Sequence, residues 1–176
     1  FAAACGDGGR DSLSSGPTVL EGDFTLASQE DLERLVALGG ESCIVDGDLT
    51  VEASSLRRLD GLGALEQVTG HLKLLDNESL ANLEGLHGLH AVGGDLWINN
   101  HIFLKNIAGL HQLEQVGGNL HILSNELQNI DDLAALKTVG GNVEISCNFS
   151  LQQVDGLAQL ERVGGHFFLD ATKELA

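Results

Sequence analysis

A glycine-led frame of 23 or 24 residues repeats along most of this chain and constrains its fold more than any other feature. The glycine that opens each copy stands at positions 47, 70, 94, 118, 141 and 165. Self-similarity at a fixed period of roughly 20–50 residues is typical of solenoids, in which each copy packs against its neighbours. The sequence therefore predicts one stack of repeats over residues 18–176. Its complete turns are 47–69, 70–93, 94–117, 118–140 and 141–164, and a partial sixth is 165–176.

Inside each copy, the spacing of the apolar residues changes from two to three. In the copy at 94–117, Leu96 and Ile98 stand two apart, which predicts a short strand with one buried face. From Leu104 onward the apolar residues are three apart, a spacing that suits a chain bending around a core through extended pieces and tight corners. One copy cannot bury this apolar row alone, whereas stacked copies cover one another. The predicted fold class is therefore a β-solenoid.

Glycine and asparagine mark the two ends of each predicted strand. Four copies begin at a Gly-Gly pair, and glycine permits both positive φ angles and close approach of neighbouring backbones. Asparagine follows the strand at Asn77, Asn125 and Asn148, whereas the third copy has Asn100 followed by His101, one place out of register. We interpret the first three as structural turn residues that bond backbone groups of their own and the next turn. N-glycosylation is the alternative for Asn77 and Asn148, since both match N-x-S/T.

The first residues resemble the lipobox of a bacterial lipoprotein. Three alanines at 2–4 precede Cys5, and in that motif the signal peptide is cut before a cysteine whose sulfur carries the lipid. The resemblance implies that residues 1–4 are the end of a signal peptide and that Cys5 is lipidated. The alternative is a cysteine there by chance. The Gly/Ser/Asp-rich stretch that follows predicts a flexible tether over 5–17.

A capping helix is predicted at the N-terminal end of the stack. Ser28 has the residue type of a helix N-cap, an acidic residue stands three positions later, and apolar residues follow at helical spacing. We therefore predict a helix over 29–38 that covers the apolar end of the first turn. In the partial sixth copy we predict a strand with Phe167 and Leu169 inward. We expect the sequence to stop inside that copy rather than to end in a thin cap.

One family resemblance is specific to this pattern. Cys43-Ile44 precedes a strand-like segment at Gly47–Val51, and the frame then repeats cleanly from Gly70 to Asn148. The pattern resembles the receptor L-domain, the leucine-rich-like domain of the insulin and epidermal growth factor receptor families, over residues 24–170. The resemblance implies a right-handed single-stranded β-helix with an N-terminal capping helix. It also implies a binding or structural role outside the cell without catalysis, and it carries over no ligand residue.

The charge of the chain is strongly acidic. With 26 acidic and 9 basic residues, the formal net charge is −17, which opposes nucleic-acid binding because that requires a basic surface. It also opposes electrostatic docking to anionic lipid, so membrane attachment is expected only through Cys5. The sequence contains no apolar run long enough to span a bilayer. We therefore expect a location in the bacterial cell envelope, lipid-anchored and facing outside the cytoplasm.

Cys43 and Cys147 are predicted to be free, buried thiols. They lie four predicted turns apart, on the order of 19 Å at the usual strand spacing, whereas a disulfide requires Cα atoms roughly 4.4–6.8 Å apart. The sequence holds no CxxC or HxxxH pair that would indicate zinc. His87 and His111 share one position of adjacent copies, and we interpret them as solvated corner residues rather than a metal pair. Neither a metal nor a cofactor is predicted.

The outward positions of the predicted strands give the candidate site. Trp97 is the only tryptophan of the chain and stands on the outward face of a central strand. An exposed aromatic residue among aliphatic ones is a candidate contact for a protein or a sugar ring. The alternative is packing between strands, or cover by the tether. The candidate ligand-binding residues are Lys73, Leu75, Trp97, Asn99, His121 and Leu123.

These observations favour a binding protein over an enzyme. The outward rows place no two carboxylates on neighbouring turns at the same position, although hydrolysis of a glycosidic bond requires clustered acid and base groups. We expect a non-enzymatic, lipid-anchored cell-surface module that presents a solenoid face to a protein or carbohydrate ligand. The alternative is a structural spacer or adhesin repeat without a specific ligand.

Overall fold

The structure is a computed structural model that describes residues 16–170. The predicted signal-peptide end at 1–4, the candidate lipidation site Cys5, most of the predicted tether and residues 171–176 lie outside this range. Within it, the chain forms one helix, fourteen short strands and four 3-10 turns. These elements recur with the period of the sequence frame.

Residues 16–170 build two parallel sheets of seven strands each, and the chain alternates between them. The first sheet consists of β1 (Thr18–Glu21), β3 (Cys43–Asp46), β5 (Leu65–Val68), β7 (Ala91–Val92), β9 (Gln115–Val116), β11 (Thr138–Val139) and β13 (Arg162–Val163). The second sheet consists of β2 (Phe24–Leu26), β4 (Leu49–Glu52), β6 (Leu72–Leu75), β8 (Leu96–Asn99), β10 (Leu120–Leu123), β12 (Val143–Ser146) and β14 (Phe167–Asp170). In both sheets the strands lie in chain order, so the architecture is repetitive, parallel-stranded and solenoid-like, as the frame predicts.

Equivalent residues of successive copies lie in register across the second sheet. Leu72 pairs with Leu96, and Leu96 pairs with Leu120. All three side chains are fully buried, as are the leucines and isoleucines that follow at a spacing of three, such as Leu104 and Ile107. One apolar core therefore runs along the described stack, and each copy completes the burial of the next.

The sequence pattern does not predict the first sheet. From β7 onward its strands are two residues long, and each places a single side chain, such as Val116 or Val139, in the core. A two-residue strand is too short to show alternation of apolar and polar residues, so its sequence cannot be distinguished from that of a bent segment. In four of the five complete copies, a 3-10 turn between the two sheets also contributes to the spacing of three, because this helix has three residues per turn. These turns are Leu62–Ala64, Glu84–Leu86, Asp131–Leu133 and Asp155–Leu157.

Glycine pairs let the corner between the first and second sheets stack closely. A Cβ on Gly117 would collide with the carbonyl oxygen of Gly93 one turn earlier, and a Cβ on Gly140 would collide with that of Gly117. None of these three glycines has a φ angle in the left-handed region. Close approach of the backbones, rather than positive φ, is therefore the reason for glycine at this corner.

Helix α1 (Gln29–Gly39) packs against β1 and β2 at the N-terminal end of the stack. Ser28 caps it, since the Oγ atom of Ser28 accepts a hydrogen bond from the Asp31 amide at 3.2 Å and donates one to Asp31 Oδ2 at 2.6 Å. Leu32 and Leu35 on its inner face are buried. The helix therefore covers apolar residues of the first turn, as the capping sequence predicts.

Strand β14 continues the second sheet at the other end of the described residues. Phe167 pairs with Val143 and Leu169 with Ile145, so both residues keep the predicted inward register. Leu169 is partly buried against the core, whereas Phe167 is 49% exposed. The difference from a fully buried column arises because no described residue forms a turn beyond β14.

Candidate binding face and its supporting corner

A buried column of side chains supports the corner at which the strands of the second sheet end. The column consists of Ser54, Asn77, His101, Asn125 and Asn148, one from each copy, and all are buried. In three steps of the column, an asparagine Oδ1 atom accepts a hydrogen bond from the backbone amide one turn earlier. These bonds are Ser54 N to Asn77 (3.0 Å), His101 N to Asn125 (3.1 Å) and Asn125 N to Asn148 (3.2 Å).

The amide nitrogens of the same asparagines donate to strand carbonyls. Asn77 donates to Val51 O at 2.8 Å, and Asn125 donates to Ile98 O at 2.7 Å. Asn148 makes the equivalent bond to Ile122 O at 2.8 Å. Both ends of each amide are thus engaged inside the corner, which is the arrangement of a structural turn residue and leaves no free amide for a sugar at Asn77 or Asn148.

His101 takes the asparagine position in the third copy. Its Nδ1 atom lies 3.3 Å from both the amide nitrogen and the carbonyl oxygen of Asn77, and its Nε2 atom lies 3.1 Å from Leu74 O. With its proton on Nε2, the neutral ring accepts from the Asn77 amide and donates to Leu74 O. Burial holds the pKa of His101 below its ordinary value. The sequence shows Asn100 one place early, and the structure places Asn100 on the exposed side of the corner, where it has a φ of 64°.

The prediction that Cys147 is buried is wrong. Cys147 is exposed, whereas Cys43 is buried as predicted, and both thiols are free. The residue before each column member adopts a left-handed φ of 43–64°, which turns the column member inward and its predecessor outward. Cys147 occupies this outward position ahead of Asn148. Burial raises the pKa of the Cys43 thiol.

The six candidate ligand-binding residues lie together on the outward face of β6, β8 and β10, which we call the binding face. Its central row is Lys73, Trp97 and His121, which pair in register on neighbouring strands. The rings of Trp97 and His121 are nearly parallel, with an interplanar angle of 5° and centroids 5.7 Å apart. On the other side, Lys73 Nζ lies 5.7 Å from the centroid of the Trp97 ring, within cation–π range.

Carboxylates close both ends of the central row. Lys73 Nζ lies 2.8 Å from Asp48 Oδ2, and His121 Nδ1 lies 3.2 Å from Glu144 Oε2. Hydrogen bonding from the His71 amide and from Lys73 lowers the pKa of Asp48. The ammonium group of Lys73 is therefore already paired with a carboxylate, and the His121 ring also contacts one.

Trp97 is half-buried, and its neighbours on both sides cover the indole ring. Besides Lys73 and His121, the ring of His71 lies 5.3 Å from that of Trp97 between centroids, tilted by 46°. The packing between strands that the sequence left as an alternative is therefore present. Because the flanks of the indole are occupied, an incoming group meets the exposed edge of the ring, and a sugar ring cannot stack face-on without displacing a neighbour.

The second row of the binding face is Leu75, Asn99 and Leu123, which also pair in register. All three are half-buried. Asn99 Oδ1 accepts a hydrogen bond from the backbone amide of Leu123 at 3.2 Å. This bond fixes the amide side chain between the two leucines and gives the face a defined polar position.

A polar ladder that the sequence did not indicate borders the binding face. Each side chain of the ladder accepts a hydrogen bond from the backbone amide of the next member, for example Asp95 Oδ1 from Asn119 N at 2.6 Å. Asn142 Oδ1 accepts from His166 N in the same way at 2.7 Å. The ladder runs from Asp23 through Asp48, His71, Asp95, Asn119 and Asn142 to His166, whose backbone amide donates the last bond. Its recurrence at one frame position was visible in the sequence, but the mixture of residue types hid the shared acceptor role.

Three exposed apolar residues follow members of the buried column on the third and fifth copies. We call this group the apolar corner, and it consists of Ile102, Phe103 and Phe149, which are 51%, 59% and 66% exposed. Ile102 follows His101, and Phe149 follows Asn148, so the two occupy one frame position two turns apart. A departure from the polar residues at this position in other copies is the signal that could have identified it.

The described residues show neither a metal-binding cluster nor a membrane-spanning helix. They contain no group of three or more His, Cys, Asp and Glu side chains that could hold a metal. His87 and His111 lie with Glu84 and Asp132 around a shallow depression, and burial raises the pKa of Asp132. Across residues 16–170, the one helix is too short and too polar to cross a membrane.

Comparisons with known proteins leave the family open. No protein-family model matches the chain, and neither a curated protein nor a solved structure matches it. The resemblance to the receptor L-domain therefore has no support from relatives.

Proposed function

We propose that this protein is a non-enzymatic binding module of the bacterial cell surface that presents the binding face to a protein or glycan ligand. The observation that carries the proposal is the central row, in which Trp97 stands between Lys73 and His121 at the middle of the second sheet. Aromatic and basic side chains held rigidly on strands supply contact energy at a low entropic cost. The occupied flanks of the indole favour a protein ligand, because its side chains can pack on the ring edge.

The finer fold is part of the same proposal. We propose that each copy closes into a right-handed turn and that the stack is an L-domain-type β-helix with α1 as its cap. The in-register pairing in both sheets and the buried column at the corner support closure of every turn. Attachment through a lipid on Cys5 is proposed from the lipobox resemblance alone, and mass spectrometry of the protein made with its own leader would show the added lipid mass.

The proposal is tested with Trp97→Ala. Screening the protein against a glycan array and a displayed peptide library identifies a ligand class, and binding of the selected ligand is then compared between variants. We expect Trp97→Ala to weaken binding at least about tenfold, because the central row loses the indole ring that lies between Lys73 and His121. Gln115→Ala on the outward side of the first sheet is the matched control and should bind as the unchanged protein does.

Two results would count against the proposal. If Trp97→Ala and Gln115→Ala bind equally well while both melt at the unchanged temperature, the binding face is not the site. If neither screen selects a ligand, the spacer or adhesin alternative is favoured. One observation supports that alternative. The contacts of Lys73 and His121 with carboxylates, and the covered indole ring, are also expected on a purely structural sheet face.

A further inference from the structure

The apolar corner is the most exposed apolar feature on the middle turns of this acidic chain. Ile102, Phe103 and Phe149 are each more than half exposed, whereas the apolar side chains of the binding face are half-buried. Ile102 and Phe149 share a frame position on the third and fifth copies, about 9.6 Å apart at the usual strand spacing. An extended or helical segment of a partner is long enough to contact both.

The repeat shows that these apolar residues are not required by the fold. At the position of Ile102 and Phe149, the second and fourth copies have Glu78 and Glu126. At the position of Phe103, the second copy has Ser79. The same corner therefore forms with polar side chains, and three apolar groups remain in solvent without a role in packing. Exposed apolar clusters of this kind mark interaction surfaces.

Acidic side chains surround the apolar corner. Asp76 and Glu78 are exposed one turn earlier, and Glu126 lies between Ile102 and Phe149 in the column of equivalent positions. Lys105 is the one nearby basic residue on the third turn, and its Nζ atom lies 4.0 Å from Glu126 Oε2. The net charge of −17 adds a long-range negative potential.

We propose that the apolar corner is a second interaction surface, which binds a basic amphipathic polypeptide segment through apolar contacts ringed by charge pairs. Aromatic and aliphatic groups supply the contact area, and the surrounding carboxylates select lysine or arginine beside the apolar side chains of the partner. A second copy of this chain is disfavoured by like-charge repulsion, and an anionic lipid surface is disfavoured for the same reason. The inference does not rest on the binding face, which occupies different residues.

The test uses a short synthetic helix-forming peptide of leucine and lysine. Its affinity is measured by isothermal titration for the unchanged protein and for the triple variant Ile102→Glu, Phe103→Ser and Phe149→Glu. These substitutions copy residues of other turns, so the fold should be preserved. We expect binding to weaken at least about tenfold. The triple variant is more negative, so simple attraction of a lysine peptide would strengthen its binding, and a loss isolates the apolar contacts.

The matched control is Val19→Glu with Leu38→Glu, which removes two other exposed apolar side chains and adds the same charge. The control should bind the peptide at least as well as the unchanged protein. If the triple variant fails to fold, Phe149→Glu alone should still weaken binding measurably, since Phe149 is the most exposed of the three.

Several outcomes would overturn the proposal. They are absence of binding by the unchanged protein, an equal loss in the control, and equal affinity for a peptide with serine in place of leucine. Binding to phosphatidylcholine vesicles that the triple variant loses would assign the corner to lipid instead. Self-association in sedimentation that the triple variant loses would assign it to a second copy.

Discussion

The two corners that flank the second sheet achieve the same close stacking by opposite means. At the corner before the sheet, Gly117 and its equivalents leave room for the carbonyl oxygen of the preceding turn. At the corner after the sheet, Asn125 and its equivalents fill the turn and bond the backbone groups that the turn leaves unpaired. From Gly93 onward the glycine corner leaves no room for a Cβ, although Thr69 holds the equivalent position one turn earlier. The asparagine corner instead depends on a side chain with a donor and an acceptor in the right places. His101 shows that the second requirement is chemical rather than a matter of residue identity.

The largest effect is expected at the asparagine corner. Asn125→Ala leaves the His101 amide and the Ile98 carbonyl without their partner in a buried site, and each such group costs roughly 1–3 kcal/mol. We expect the free energy of unfolding to fall by about 3 kcal/mol or more, measured by urea denaturation. Gln128→Ala, at an exposed position of the same turn, should change it little. Equal losses would show that the column does not carry the corner.

A smaller loss is expected at the glycine corner. Gly117→Ala places a methyl group against the Gly93 carbonyl, and overpacking of this kind typically costs about 1–3 kcal/mol because the stacked backbones must shift. Gly16→Ala is the control, since nothing lies within 4 Å of a Cβ at Gly16. If Gly117→Ala denatures at the same urea concentration as Gly16→Ala, close approach is not the reason for the glycine pairs.

The smallest effect on stability is expected from replacing histidine with asparagine, two of the residue types found at the asparagine corner. The pKa of His101 is lowered by burial from an ordinary value of 6.5, so the unfolded chain binds a proton more readily than the folded one. Its contribution is therefore complete above pH 6.5 and is lost as the pH falls toward the folded pKa. Asp76 is the acidic group that acts on His101 and opposes this shift in part.

Replacing the histidine with the common residue tests this pH dependence. His101→Asn should remove the part of the stability loss between pH 7.5 and pH 5 that belongs to this ring, because asparagine makes both hydrogen bonds without titrating. Denaturation at the two pH values measures the difference. Identical pH profiles for the two proteins would mean that His101 protonates without loss of its bonds.

The sequence predicts the second sheet and its buried columns because four-residue strands show alternation and the copies repeat it. It predicts α1 because capping residues act locally. It does not predict the first sheet, whose strands from β7 onward have two residues and are held by pairing between turns rather than by a local pattern. The expectation that Cys147 is buried fails because the left-handed φ of Cys147 turns its side chain outward and that of Asn148 inward. A φ angle is not visible in a single sequence.

The binding face also divides into features that follow from the local sequence pattern and features that depend on contacts between turns. The six residues of the binding face follow from strand alternation, since alternate residues point outward. The cover of Trp97 by Lys73 and His121 depends on the register between turns and on side-chain conformation, which the repeat alone leaves undetermined. The apolar corner does not follow from the repeat, because its residues depart from the polar pattern of the frame at these positions.

The buried column also determines how such a protein can change in length. The hydrogen bonds that column members make between copies join neighbouring turns, so a whole additional copy would meet the same donors and acceptors at both of its boundaries. Duplication or loss of an entire frame is therefore compatible with the structure, whereas an insertion of a few residues must be absorbed within a single corner. Related chains should therefore differ in length by whole copies of the frame more often than by part of a copy.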